Sequence, residues 1–283
     1  MKTEFCENIP SHLDAIIASD YNEVDLIVSN IEDVRGFSAE EYSDMAVSAG
    51  GPALNDSGVD TPSSEEKFFI ETAQIYAELI AKSFLGKSEI QRRMPFDSFA
   101  FFDGNIYQSS AYKNAKGFYD SFSGRFFLLR QENKLLSCLE IFKQVWMSMG
   151  YSWVSCDGPS FLRMNGLAFY GARENLFVFA NNALSSQATL MFYHFAKRLP
   201  CFGDDANLNV KKIVNGVFTK KESDAMNNVI SLICSSYPGR SYVDISNDFY
   251  KAQLNGNFSR IRNYCRAILG PNGLKKMGKK TSA

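Results

Sequence analysis

From residue 63 onward the chain keeps returning to one pattern. Apolar residues recur three and four positions apart between helix start and stop signals, which restricts the chain to a mainly α fold. The clearest case has Ser63 and Glu66 in capping-box spacing, then Phe69, Ala73, Tyr76, Ile80 and Phe84 on one face, then Gly86. In "NKLLSCLEIFKQVWMSMG" the stripe is Leu135, Leu139, Phe142, Trp146 and Met149, stopped by Gly150. "SSQATLMFYHFAKRLP" offers Ser185 or Ser186 as cap and ends in Lys197, Arg198 and Pro200. A further capping box, Thr219 and Glu222, opens "TKKESDAMNNVISLICSS", and "DISNDFYKAQLN" and "FSRIRNYCRAILG" complete the helical set.

Two stretches break the helical period. "FAFFDGNIYQ" sets Asp103-Gly104 between aromatic and β-branched residues, which predicts a hairpin. Strand alternation there puts Phe99 and Phe101 on one face and Ala100 and Phe102 on the other, leaving Phe102 as the ring to check for exposure. "GLAFYGARENLFVFA" predicts a second hairpin around Gly171. The fold class expected is mainly α: a helical core domain with one or two small β-hairpins and flexible N- and C-terminal arms.

Charge divides the chain more sharply than its net of -1 implies. Residues 1–66 hold 15 acidic residues against Lys2 and Arg35, and the remainder carries 28 basic and 16 acidic residues. From Tyr250 onward there are eight basic residues, Lys251, Arg260, Arg262, Arg266, Lys275, Lys276, Lys279 and Lys280, and no acidic ones. Residues 1–47 read as an acidic N-terminal arm with short amphipathic helices. Residues 48–66, dense in Gly, Ser, Asp and Pro, read as a linker, 67–250 as the helical core and 251–283 as a basic C-terminal segment. Such asymmetry points to a polyanionic partner, because Lys and Arg displace the counterions condensed on phosphates.

Candidate RNA contacts are Arg163, Arg173, Lys197, Arg198, and the cluster Arg260, Arg262 and Arg266, of which the last two share a helix face. Enzyme signatures are missing: the sequence has no GxGxxG, P-loop, HExxH or GxSxG. His12 and His194 are the two histidines; pairing His194 with Cys156 as a catalytic dyad, or using Asp204 and Asp205 as an acid or metal pair, ranks below packing and capping roles. The six cysteines have no CxxC spacing, so reduced thiols are expected and neither a metal nor a cofactor is called for. No run approaches the ~20 apolar residues of a membrane span. The expectation is a non-enzymatic soluble protein made in a cytosol.

Residues 134–180 also carry a resemblance. "CLEIFKQVW", "DGPSFLRMNGL" and "NLFVFANNALSS", with Cys138 and Trp146 eight apart, then Pro159, Gly166, Phe177 and Phe179 in order, resemble the core of flexible filamentous plant virus coat proteins. The resemblance implies a helical core whose terminal arms bind neighbouring subunits, with a groove for single-stranded genomic RNA and residence in the host cytoplasm and the virion. The family's arginine ahead of the cysteine falls here at Leu135, beside Lys134, and its aspartate between the phenylalanines falls at Val178. That buried pair is thus replaced as a pair, which leaves no orphaned charge; Lys134 joins the candidate RNA contacts. The function expected is a single-stranded-RNA-binding coat or nucleocapsid protein forming homo-oligomers through its arms. The alternative is a regulatory or host-targeting interaction protein whose acidic arm is autoinhibitory.

Overall fold

The structure, a computed structural model, describes residues 60–86, 93–103, 116–120, 125–157, 160–170, 175–207 and 220–281. The expected N-terminal arm and most of the linker lie outside them. The fold is mostly helical, and the chain divides into two compact units. Among the described residues, 60–149 and 185–207 belong to the first and 150–184 and 221–281 to the second.

The first unit opens on Asp60, whose main chain exchanges two hydrogen bonds with Phe101. Its first helix, α1 (Ser64–Leu85), starts where the capping box predicts: Ser63 Oγ accepts from the Glu66 amide and the Glu66 carboxylate accepts from the Ser63 amide. The last residues assigned to the linker are therefore structural. Glu66 also receives Arg130 Nε at 2.9 Å, and the same guanidinium reaches Asp60 and Asp103 and lies over the Phe101 ring. These partners, Glu66 foremost, raise the Arg130 pKa above its ordinary value. Glu66→Ala removes half of a helix cap and the less exposed partner of Arg130 together. It should cost about 1–2 kcal/mol in urea unfolding.

Strands β1 (Phe99–Phe102), β2 (Gly117–Asp120) and β3 (Arg125–Leu129) form a sheet in the order β1-β3-β2. β1 runs parallel to β3 and β2 antiparallel to it. The hairpin expected at Asp103-Gly104 lies, from residue 104 onward, outside the described residues; among those described, β3 takes one edge of β1 and Asp60 bridges to Phe101 at the other. All four β1 residues are buried, as suits an uninterrupted apolar strand rather than a half-exposed hairpin arm. The alternation holds, with Ala100 and Phe102 packing with Phe127 and Phe118 while Phe99 stacks on Phe126 at 4.2 Å. Phe102 is buried, so it offers no stacking surface.

Helix α2 (Lys134–Ser148) is capped by Asn133, and its whole predicted stripe is buried. Phe142 stacks on Phe192 at 4.3 Å, and Tyr76 on Phe195 at 4.7 Å. Phe69, Phe142, Trp146 and Phe192 are all buried in this core.

In the second unit, β4 (Ser152–Asp157), β5 (Ser160–Asn165), β6 (Ala168–Tyr170) and β7 (Asn175–Leu176) form an antiparallel meander. Strands β6 and β7 pair antiparallel, as the hairpin expected around Gly171 requires, while residues 171–174 between them lie outside the described residues. Its second arm is short, because Phe177 turns at φ 59° and helix α3 (Val178–Ala196) begins directly. Ser185 and Ser186, expected as caps, are instead buried inside α3. The division between units falls within this helix, after Leu184.

Helices α4 (Lys220–Ser236), α5 (Tyr242–Asn255), α6 (Ser259–Leu269) and α7 (Gly273–Lys280) complete the chain. The C-terminal segment, expected as an arm, is helical. The Phe177 amide donates to Gly278 O at 3.0 Å, the Phe179 amide donates to Thr281 O at 2.6 Å, and Leu274 and Met277 are buried. Gly278 allows the approach: a Cβ there would stand 2.8 Å from the Phe177 ring.

Candidate nucleic-acid interface

The segment without carboxylates after Tyr250 becomes one continuous structural feature. In α6 the sequence places Ile261, Tyr264 and Cys265 on the buried side, and Arg262 and Arg266 fall on the opposite flank. In α7, Leu274 and Met277 face inward while Lys276, Lys279 and Lys280 are exposed. Two short amphipathic helices thereby fix cations outward and hold them in place, where a disordered tail would have let them move.

Its foundation is a buried carboxylate. Asp248 on α5, with its side chain 2% exposed, receives Arg260 Nη1 at 2.7 Å and the Tyr264 hydroxyl at 2.7 Å, and also Arg240 Nη2. A buried carboxylate without partners would be costly, and here three donors cover its two oxygens. Burial, with the Asp248 hydrogen bond, pushes the Tyr264 phenol above its ordinary value, and burial drives the Cys265 thiol up to about 12. Cys265 is accordingly a packing residue with no thiolate character near neutrality.

The sequence candidates separate into distinct situations. Arg260 is committed to Asp248. Arg262 is half-buried and Arg266 exposed, one turn apart on α6. Lys134 is the first residue of α2 and pairs with Glu65 at 2.7 Å, which raises its pKa. Its charge is already compensated. Lys197 lies over the Tyr193 ring at 5.2 Å, and Arg198 is exposed in the turn that ends α3. Arg163 sits on β5, paired with Val154 on one side and Tyr170 on the other. Arg173 lies outside the described residues. Lys134, Lys197 and Arg198 belong to the first unit and Arg163, Arg260, Arg262 and Arg266 to the second.

Lys251, Lys276 and Lys280, which a pattern of cations beside aromatic residues does not single out, are exposed on the same C-terminal segment. The charge count already contained the signal, since no acidic residue interrupts that stretch.

Of the groups considered for chemistry, His194 does not take the packing place expected for it. His194 is exposed on α3 with its ring 5.4 Å from that of Tyr193. Asp205 accepts the Lys134 amide at 3.0 Å and so caps α2. Among the described residues no group of three or more His, Cys, Asp or Glu side chains is placed to hold a metal, and no helix is long and apolar enough to cross a membrane. Comparison with protein-family models, with curated proteins and with solved structures gives no match for this chain.

Proposed function

We propose that this chain is a non-enzymatic, single-stranded-RNA-binding protein that self-assembles as a coat or nucleocapsid subunit. The observation that carries this reading is the outward cationic face of α6 and α7, which lie in a stretch with no Asp or Glu after Tyr250. Fixed cations neutralise phosphates with a smaller ordering cost than a flexible tail would incur. The resemblance of residues 134–180 to filamentous plant virus coat proteins supplies the choice of single-stranded RNA among polyanions.

Assembly is supported by an apolar stripe on the first unit. Phe68, Ile75 and Leu79 on α1 are 45%, 46% and 57% exposed, and Met191 and Phe195 on α3 are also exposed. Tyr76 stacks on Phe195, so the two helices carry these residues side by side. An exposed apolar face of this kind marks a protein contact.

Unstructured RNA added at low salt should produce saturable binding by fluorescence anisotropy and rings or filaments by negative-stain electron microscopy. A monomer that ignores RNA under those conditions contradicts the proposal.

A second reading, a regulatory interaction protein, is favoured by the 15 acidic residues of positions 1–66. Deleting residues 1–59 separates the two. If the arm assembles subunits, the rings or filaments are lost while RNA affinity holds. If it covers the cationic face, RNA affinity rises.

A further inference from the structure

Between α5 and α6 a cavity of about 270 Å³ is lined by Asp248, Lys251, Asn255, Asn257, Ser259 and Arg260. Every one of these side chains is polar, which is unusual for a ligand-sized hollow, since such sites are mostly apolar. Its volume lies just below the roughly 300 Å³ at which small-molecule sites begin, room for a compact group.

The charge inside is one-sided. Asp248 is the acidic residue of the lining, and its oxygens are occupied by Arg240, Arg260 and Tyr264. Lys251, exposed one turn beyond it on α5, has no ion-pair partner among the described residues. The two asparagines are oriented by their own backbone bonds: Asn255 Oδ1 accepts the Asn257 amide at 2.9 Å, and Asn257 Oδ1 accepts the Ser259 amide at 3.1 Å. With the carboxamide oxygens held in this way, the NH2 groups are what remains to offer a ligand.

We infer that this cavity is a phosphate-binding pocket, with Lys251 supplying the uncompensated charge, Arg260 the N–H donors that its bond to Asp248 leaves over, and Asn255, Asn257 and Ser259 neutral donors. An ammonium, a guanidinium, two carboxamides and a hydroxyl outnumber the acceptor oxygens of a carboxylate and suit the several oxygens of a phosphate. The inference rests on the cavity and not on the RNA reading. The phosphate could belong to an RNA backbone or to a free phosphorylated small molecule.

The test is calorimetric titration of the full chain with inorganic pyrophosphate at low salt. Saturable one-to-one binding is expected, weakened about tenfold by Lys251→Gln, the equivalent of one charge-assisted hydrogen bond. Lys251 is exposed, so this variant keeps the fold. Asn257→Asp keeps the oxygen that accepts the Ser259 amide but adds a carboxylate, and should weaken binding further, while Lys82→Gln, exposed on α1 and outside the pocket, should leave it unchanged. Displacement of pyrophosphate by unstructured RNA identifies the backbone as the source; its persistence identifies a free phosphate. Absence of saturable binding, or equal binding by wild type and Lys251→Gln, overturns the inference, whatever the outcome of RNA binding.

Discussion

Asp248→Ala should lower the stability of the second unit by about 3 kcal/mol, because it leaves Arg240 and Arg260 without the carboxylate between them and the Tyr264 hydroxyl without its acceptor. Losing one partner of a buried pair costs about 3–5 kcal/mol, and the lower figure applies because the arginine side chains are 33% and 63% exposed and partly screened by water. In a unit of this size that is a fall of roughly 10 °C in the midpoint of its thermal transition. Arg260→Ala, by contrast, removes the more exposed partner while Arg240 and Tyr264 remain, and should cost under about 1 kcal/mol. Equal effects of the two substitutions would mean that Asp248 is not the foundation of the cationic helices.

The second large effect is expected at Gly166. This residue turns β5 into β6 at φ +61°, and a Cβ there would stand 2.4 Å from Asn181 Oδ1. That oxygen accepts the Leu167 amide at 2.9 Å and Gln253 Nε2 at 3.0 Å, both buried, so an alanine at 166 either clashes or displaces the acceptor they share. Left-handed backbone costs a non-glycine residue about 1–2 kcal/mol, and each buried donor left unpaired about 1–3 kcal/mol. Gly166→Ala should therefore cost about 3–5 kcal/mol in urea unfolding. A variant within about 1 kcal/mol of wild type would show that Asn181 can move without loss, and the polar node would not be the linchpin between the meander and α5.

Much of this architecture was legible because it is local. The reciprocal bonds of Ser63 and Glu66, the stripe from Leu135 to Met149 and the pairing of β6 with β7 each depend on residues a few positions apart. What was not legible depends on partners far along the chain. The parallel pairing of β1 with β3, more than twenty residues later, has no local signal, although the wholly apolar run from Phe99 to Phe102 fits that buried place. Ser185 and Ser186 look like caps, but Ala180, Ala183 and Leu184 just before them are buried, and their packing carries α3 back to Val178.

The candidate site followed the same division. The run of cations after Tyr250 could be counted in the sequence, and the four-residue spacing of Arg262 and Arg266 places them together. That Arg260 is bound to Asp248, and Lys134 to Glu65, could not be seen, because each partner lies on a different helix. Nor did charge alone indicate that residues 273–281 would dock. The docking depends on Leu274, Met277 and two main-chain bonds to Phe177 and Phe179, which a count of lysines does not register.

The central claim is that the outward cations of α6 and α7 neutralise the phosphates of single-stranded RNA, and salt dependence measures it most directly. Each phosphate neutralised contributes about 0.7 to the slope of log affinity against log salt for a single strand. Wild type should therefore give a steep negative slope, and the combined variant Arg262→Gln, Arg266→Gln, Lys276→Gln and Lys280→Gln should flatten it by up to about 3. An unchanged slope in that variant, with RNA still bound, would place the polyanion elsewhere on the chain and contradict the account.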